Sequence, residues 1–312
     1  MLRIRPWPAL AALAAALAPL ALLGVFAILA VAAWPAVAAG GARFLTGAVW
    51  NPGGISGALT LVAGTALTAL GALVLAVPVG IGVAICLAER ARGRIARALG
   101  FCVEMIAGVP GVVFGLWGFV AVVPWLEHRG GPALARVLGF IPFFRGPVGS
   151  GQGVLAASVV LAAMIVPLVA AVARDALLRV PAAVRDQGRA LGLTDWELLR
   201  DLVLPRAAPG IVGGVLLALG RALGETMAVL MVSGSGPLLP GTAWTPTTTM
   251  ASALIVDLRA AGAGGMAYHV LAELALLLLL VAVAVHLAVA LVGGGVSRVA
   301  SLLRPGWGGG PS

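Results

Sequence analysis

Six stretches of this chain run for about twenty residues or more with very little charge, and no other feature restricts its fold as strongly. They cover residues 9–37, 59–87, 101–125, 154–172, 210–232 and 268–291. A helix needs roughly 20 mostly apolar residues to cross a bilayer. Charged residues make up 10% of the 312 positions, against roughly 25% in a soluble domain. The expected fold is all-α: a polytopic membrane protein of about six transmembrane helices, with little chain left over for a soluble domain.

All 20 basic residues are arginine. Without lysine there is no P-loop to hold the β- and γ-phosphates of ATP and no Schiff-base amine. The net charge of +9 fits anionic lipid better than nucleic acid, because the arginines flank the apolar runs. With the N-terminus in the cytoplasm, 14 arginines fall on cytoplasmic segments and 5 on outer ones, Arg221 lying inside a span. Both termini are then cytoplasmic. The first run exceeds the roughly 7–15 residues of a secretory h-region, so it is expected to stay as an uncleaved helix. Cys86 and Cys102 are expected as buried free thiols. His128, His269 and His286 have no zinc-ligand spacing, so neither metal nor cofactor is expected.

Glycine and proline crowd the third run at Gly108, Pro110, Gly111, Gly115 and Gly118. Close packing through small residues accounts for them; so does a broken helix lining a cavity. Segments 127–153 and 233–266 are polar, rich in Gly and Pro, and expected outside. Trp7, Trp34, Trp50 and Trp125 read as interfacial anchors. Glu104 and Glu273 are near span ends, where Glu104 is expected to snorkel to the cytoplasmic interface and Glu273 to the outer one.

Between the fourth and fifth runs lies PAAVRDQGRALGLTDWELLRDLVLP, residues 181–205. Pro181 suits the first turn of a helix, and Gly192 suits its left-handed cap. Thr194 and Glu197 form a capping box for a second helix ending near Leu204-Pro205. The spacing predicts a charged cytoplasmic elbow hinged at Gly192. It serves either as a stabilised surface loop or as a docking element, with Trp196 packed on a partner or on its own helices.

The fifth run reads GGVLLALGRALGETMAVLMVSG. Arg221 and Glu225, four residues apart, are expected on one helix face. Charges in a span pair with each other or line an aqueous path.

Gly192, Leu202, Leu204 and Pro205 reproduce G-x9-hydrophobic-x-L-P, which resembles the EAA loop of ABC-importer permeases. The family's Glu-Ala-Ala triplet reads Asp186-Gln187-Gly188 here. GRALGETMAV, EMIAGVPGVVFGLWG and IVPLVAAVARDALLRVP, in collinear order, resemble phosphate permeases of the PstC type. The resemblance implies an ABC importer type I fold, with residues 1–56 an N-terminal helix and outer loop, 57–294 the permease domain, 179–207 the coupling loop and 295–312 a cytoplasmic tail. It implies translocation of phosphate beside Arg221 and Glu225. It implies coupling to an ATPase subunit through Asp186, Gly192, Thr194, Trp196, Glu197, Leu204 and Pro205. The implied partners are a homologous PstA-type permease, two PstB-type ATP-binding subunits, an extracytoplasmic PstS-type phosphate-binding protein and the lipid bilayer, with this chain itself in the inner (cytoplasmic) membrane. ATP hydrolysis then belongs to other chains, and this chain is no enzyme. Transport of another oxyanion (molybdate, sulfate or phosphonate), an ATP-independent channel and an intramembrane enzyme are the competing readings. The last lacks any His-x-x-x-His pair or paired membrane aspartates.

Overall fold

The computed structural model describes residues 6–53, 56–90, 93–236, 239–259, 261–262 and 264–302. Arg3, Arg5, Arg92 and Arg304 lie outside the described residues. Helices make up nearly all the regular structure: α1 (Pro6–Gly40), α2 (Leu59–Arg90), α3 (Gly93–Ala107), α4 (Gly111–Leu138), α5 (Val154–Leu178), α6 (Ala182–Ala190), α7 (Asp195–Leu223), α8 (Met227–Val232), α9 (Met250–Leu258) and α10 (Met266–Leu302). Among the described residues, six helices are long and apolar enough to cross a membrane: α1, α2, α4, α5, α7 and α10. The protein is a multi-pass membrane protein.

Helix α5 is the axis of the bundle. Its most apolar stretch is 67% buried, and no other span exceeds 28%. Small residues let α2 approach it closely: a Cβ at Gly80 would meet Val169 at 2.8 Å, and one at Gly71 would collide with the Ser158 hydroxyl. Ser158 Oγ donates across the pair to the Thr68 carbonyl at 3.3 Å. In lipid, where apolar burial drives little association between helices, such close van der Waals contact and interhelical bonding hold the bundle. Helix α1 packs on α10 through buried Ala33 and Ala36, and His269 Nδ1 meets the Ala32 carbonyl at 2.7 Å.

Two of the expected spans are broken. The third does not run unbroken over 101–125. It stops at Ala107, turns through Gly108-Val109-Pro110, and restarts as α4. Proline lacks an amide donor and pushes the preceding residue out of helical conformation. Pro110 itself is extended (φ −60°, ψ 142°) and caps α4. Helix α4 then carries on to Leu138, so the first part of 127–153 is helical. The fifth span likewise ends at Leu223 and resumes as α8 after Gly224-Glu225-Thr226.

Other local expectations also change. Cys86 and Cys102 are exposed rather than buried, because they lie on outward faces of α2 and α3. Trp34 and Trp125 are exposed as anchors should be. Trp50 instead donates its indole N–H to Asp257 Oδ2 at 2.7 Å; the side chain of Trp7 lies outside the described residues. Glu104 is exposed on α3. Glu273 does not snorkel: it is only 9% exposed, facing α1.

Candidate functional site: the elbow and the paired helix breaks

The elbow forms as its residues dictate. Helix α6 starts after Pro181 and ends in a Schellman motif. The Leu193 amide donates to the Gly188 carbonyl at 3.1 Å and the Gly192 amide to the Arg189 carbonyl at 3.0 Å. Gly192 takes φ +78°, a left-handed conformation that glycine adopts without steric penalty. Thr194 then caps α7. Its Oγ1 accepts from the Glu197 amide at 3.3 Å, while Glu197 Oε2 accepts from the Thr194 amide at 2.8 Å.

Gly188, standing at the third place of the departed triplet, has a packing reason to be glycine. A Cβ there would lie 2.5 Å from Leu198 and 2.9 Å from Leu202. The second helix does not end at Leu204-Pro205 as expected. A π-helical turn at Leu198–Val203 leads directly into the rest of α7. A π turn shifts the hydrogen-bond ladder, and Pro205, which has no amide to offer, falls at the first positions after the shift.

Leu191, Trp196 and Asp186 face outward, with Trp196 63% exposed. Trp196 therefore does not pack into its own helix pair. Leu204 is half-buried and Pro205 exposed. Arg185, not foreseen from the sequence, fixes the elbow to the bundle. Its Nη2 donates to Glu89 Oε1 on α2 at 2.8 Å and to the Leu177 carbonyl at 3.0 Å, and its Nη1 donates to the Val180 carbonyl at 2.6 Å. No local pattern in the sequence pairs Arg185 with Glu89, because 96 residues separate them.

The two helix breaks meet deeper in the bundle. Helices α4 and α8 pack side by side: a Cβ at Gly115 would lie 2.9 Å from the Ala228 Cα, and one at Gly118 would lie 2.9 Å from Val232. At the head of this contact, a Cβ at Gly111 would lie 2.6 Å from Glu225 Oε1. The same oxygen accepts from the Ala228 amide at 3.3 Å, at the start of α8. The packing reading of the glycine-rich third run therefore holds at Gly111, Gly115 and Gly118, and the helix is broken at Gly108 and Pro110 as the other reading required; that the break also lines a path belongs to the proposed function.

Arg221 and Glu225 do not share a helix face. Arg221 is exposed in the last turn of α7, and Glu225 is half-buried beyond the break. Among the described residues the ion pairs are His128–Glu127, Arg185–Glu89, Arg189–Asp186 and Arg200–Asp201. Neither Arg221 nor Glu225 takes part in one. The break has a local cause. Gly224 is a weak helix former, Glu225 bonds ahead to Ala228, and Thr226 Oγ1 donates back to the Gly224 carbonyl at 3.2 Å. Such side chains compete with the helical ladder.

Residues 76–298 match the family described as binding-protein-dependent transport system inner membrane component. The chain is 38% identical over 276 residues to phosphate transport system permease protein PstC 1 of Mycobacterium tuberculosis, covering 81% of this chain and 82% of that one. It is 39% identical over 252 residues to PstC of Pasteurella multocida, covering 80% and 78%. Among solved structures, the MetNI methionine ABC transporter in an inward-facing conformation superposes with a TM-score of 0.50 at 18% identity, over 76% of this chain and 93% of that one. This likeness supports an ABC-importer permease fold. The protein belongs to the binding-protein-dependent transport system inner membrane component family and is a membrane subunit of a multi-subunit transporter.

Proposed function

We propose that this chain is one permease half of an ATP-driven importer of inorganic phosphate across the cytoplasmic membrane. The observation that carries the reading is the meeting of two interrupted spans at Glu225, in a chain whose curated relatives are named for phosphate transport. Interrupted helices free backbone groups inside a membrane, and they are tolerated where they line a path or are buried in protein. Arg221 contributes a planar cationic fork matched to tetrahedral oxyanions. Phosphate retains a proton near neutral pH and can donate it in a hydrogen bond to the Glu225 carboxylate. Sulfate has none to donate, so the pair distinguishes the two.

The elbow is assigned to coupling. Asp186, Gly192, Thr194, Trp196, Glu197, Leu204 and Pro205 shape the surface that meets one of two PstB-type ATP-binding subunits. Closure of the ATPase pair on ATP pulls this surface, and α7 carries the movement without interruption from the elbow to Arg221. A PstA-type permease completes the path, and a PstS-type binding protein delivers phosphate from outside. Both termini of the chain lie in the cytoplasm.

The test is uptake of labelled phosphate in a strain lacking the chain. Wild type restores uptake, and Arg221→Ala abolishes it while the purified complex keeps all its subunits. Normal uptake by Arg221→Ala, or restoration of sulfate or molybdate uptake in place of phosphate, rejects the proposal.

A further inference from the structure

A second site lies at the end of the bundle opposite the elbow. A cavity of about 250 Å3 opens between α1 and α10, walled by Ala36, Ala39 and Gly40 on one side and Val270 on the other. Arg43 and Glu273 are the two charged residues that line it. Glu273 is 9% exposed and, among the described residues, has neither a hydrogen bond nor an ion pair. His269, one turn earlier on the same face, has its Nδ1 engaged with the Ala32 carbonyl. Arg43 is exposed and also outside every ion pair among the described residues.

A buried carboxylate inside a membrane span is costly unless something with opposite charge meets it. The complementary ligand therefore carries an N–H-bearing cation for Glu273, an anion close by for Arg43, and apolar substance for the alanine wall. The cavity's height agrees with such a ligand. Gly40 ends the span of α1 and Met266 begins that of α10, which puts the cavity near the membrane boundary, where headgroups lie. Most of its wall comes from α1 and the segment after it, which precede the family match at residue 76.

We propose that this cavity binds a phospholipid with a primary-amine headgroup, of the phosphatidylethanolamine class. Its ammonium donates to Glu273, its phosphate accepts from Arg43, and its chains lie against Ala36 and Ala39. A glycerol headgroup satisfies Arg43 but leaves Glu273 without a cation. A choline headgroup brings a cation with no N–H to donate.

The experiment is native mass spectrometry of the whole transporter complex, purified in mild detergent and supplied with phosphatidylethanolamine, phosphatidylglycerol and phosphatidylcholine in equal amounts. Wild type retains the ethanolamine lipid about tenfold over the other two, as expected for a charge-assisted hydrogen bond. The near-isosteric Glu273→Gln removes that preference while subunit composition is unchanged. Arg43→Gln lowers retention of all three lipids, because each presents the same phosphate to Arg43. Equal retention of the three lipids by wild type, or an undiminished preference in Glu273→Gln, overturns the proposal. So does a Glu273→Cys chain that cross-links to a partner subunit and retains no lipid, since the cavity is then a protein interface.

Discussion

The Glu225 carboxylate rests against the bare Cα of Gly111, so that a methyl group at Gly111 would sit 2.6 Å from Oε1. The obstructed atom is the tip of a flexible side chain, so Gly111→Ala is expected to lower stability by only about 1 kcal/mol. It must nonetheless push the carboxylate from its seat between α4 and α8. Gly111→Ala is therefore expected to assemble normally and to reduce initial phosphate uptake at least about tenfold, a shift of roughly 1.4 kcal/mol. Wild-type uptake by a correctly assembled Gly111→Ala complex removes Glu225 from the route as placed here.

Arg185 joins the elbow to both α2 and α5 through three hydrogen bonds. Its side chain and that of Glu89 are 16% and 22% exposed, so the pair is partly screened. Removing one member of a fully buried pair costs roughly 3–5 kcal/mol, and the partial exposure here reduces that to about 2 kcal/mol. Arg185→Ala is expected to loosen the elbow without unfolding the bundle. The readout is ATP hydrolysis by the assembled transporter, which should continue while phosphate uptake falls. Uptake and hydrolysis that remain in the wild-type ratio would show that Arg185 has no part in coupling.

Much of this was legible locally. The Gly192 cap and the Thr194–Glu197 box appear where a glycine and a T-x-x-E pattern put them, because both are decided within a few residues. The breaks were half visible. Pro110 and the Gly-Glu-Thr string are recognised helix interrupters, but a continuous apolar run outweighs them when hydropathy alone sets the boundaries. Apolar character says that a segment lies in lipid, not that its hydrogen-bond ladder is unbroken. Arg185–Glu89 and Gly111–Glu225 were invisible because they join distant segments. The helical-face expectation for Arg221 and Glu225 failed because one glycine and two polar side chains end the helix between them.

Gly192 gives a separate handle on the hinge. A side chain at φ +78° meets the steric penalty of left-handed backbone, roughly 1–2 kcal/mol for an L-residue. Gly192→Ala should therefore raise amide exchange across α6 by about tenfold or more, whereas Gly192→Asn, which tolerates this region, should raise it less. Hydrogen exchange of the purified complex distinguishes them. Equal protection in wild type and Gly192→Ala would mean that the cap does not hold the elbow.

The coupling role requires the elbow to face the ATPase side, and Leu191 reports on that directly. It is 81% exposed beside the hinge, so a thiol there is reachable without disturbing packing. Cys86 and Cys102 are exposed too and must first be replaced by serine. In the resulting background, Leu191→Cys is expected to react with a membrane-impermeant maleimide in inside-out vesicles and to resist it in intact cells. A residue in the segment after α1 near the opposite face, such as Val49→Cys, exposed at 71%, should show the reverse. If Leu191→Cys is labelled from outside intact cells, the elbow faces away from any cytoplasmic motor, and neither the coupling assignment nor the phosphate route driven by it survives.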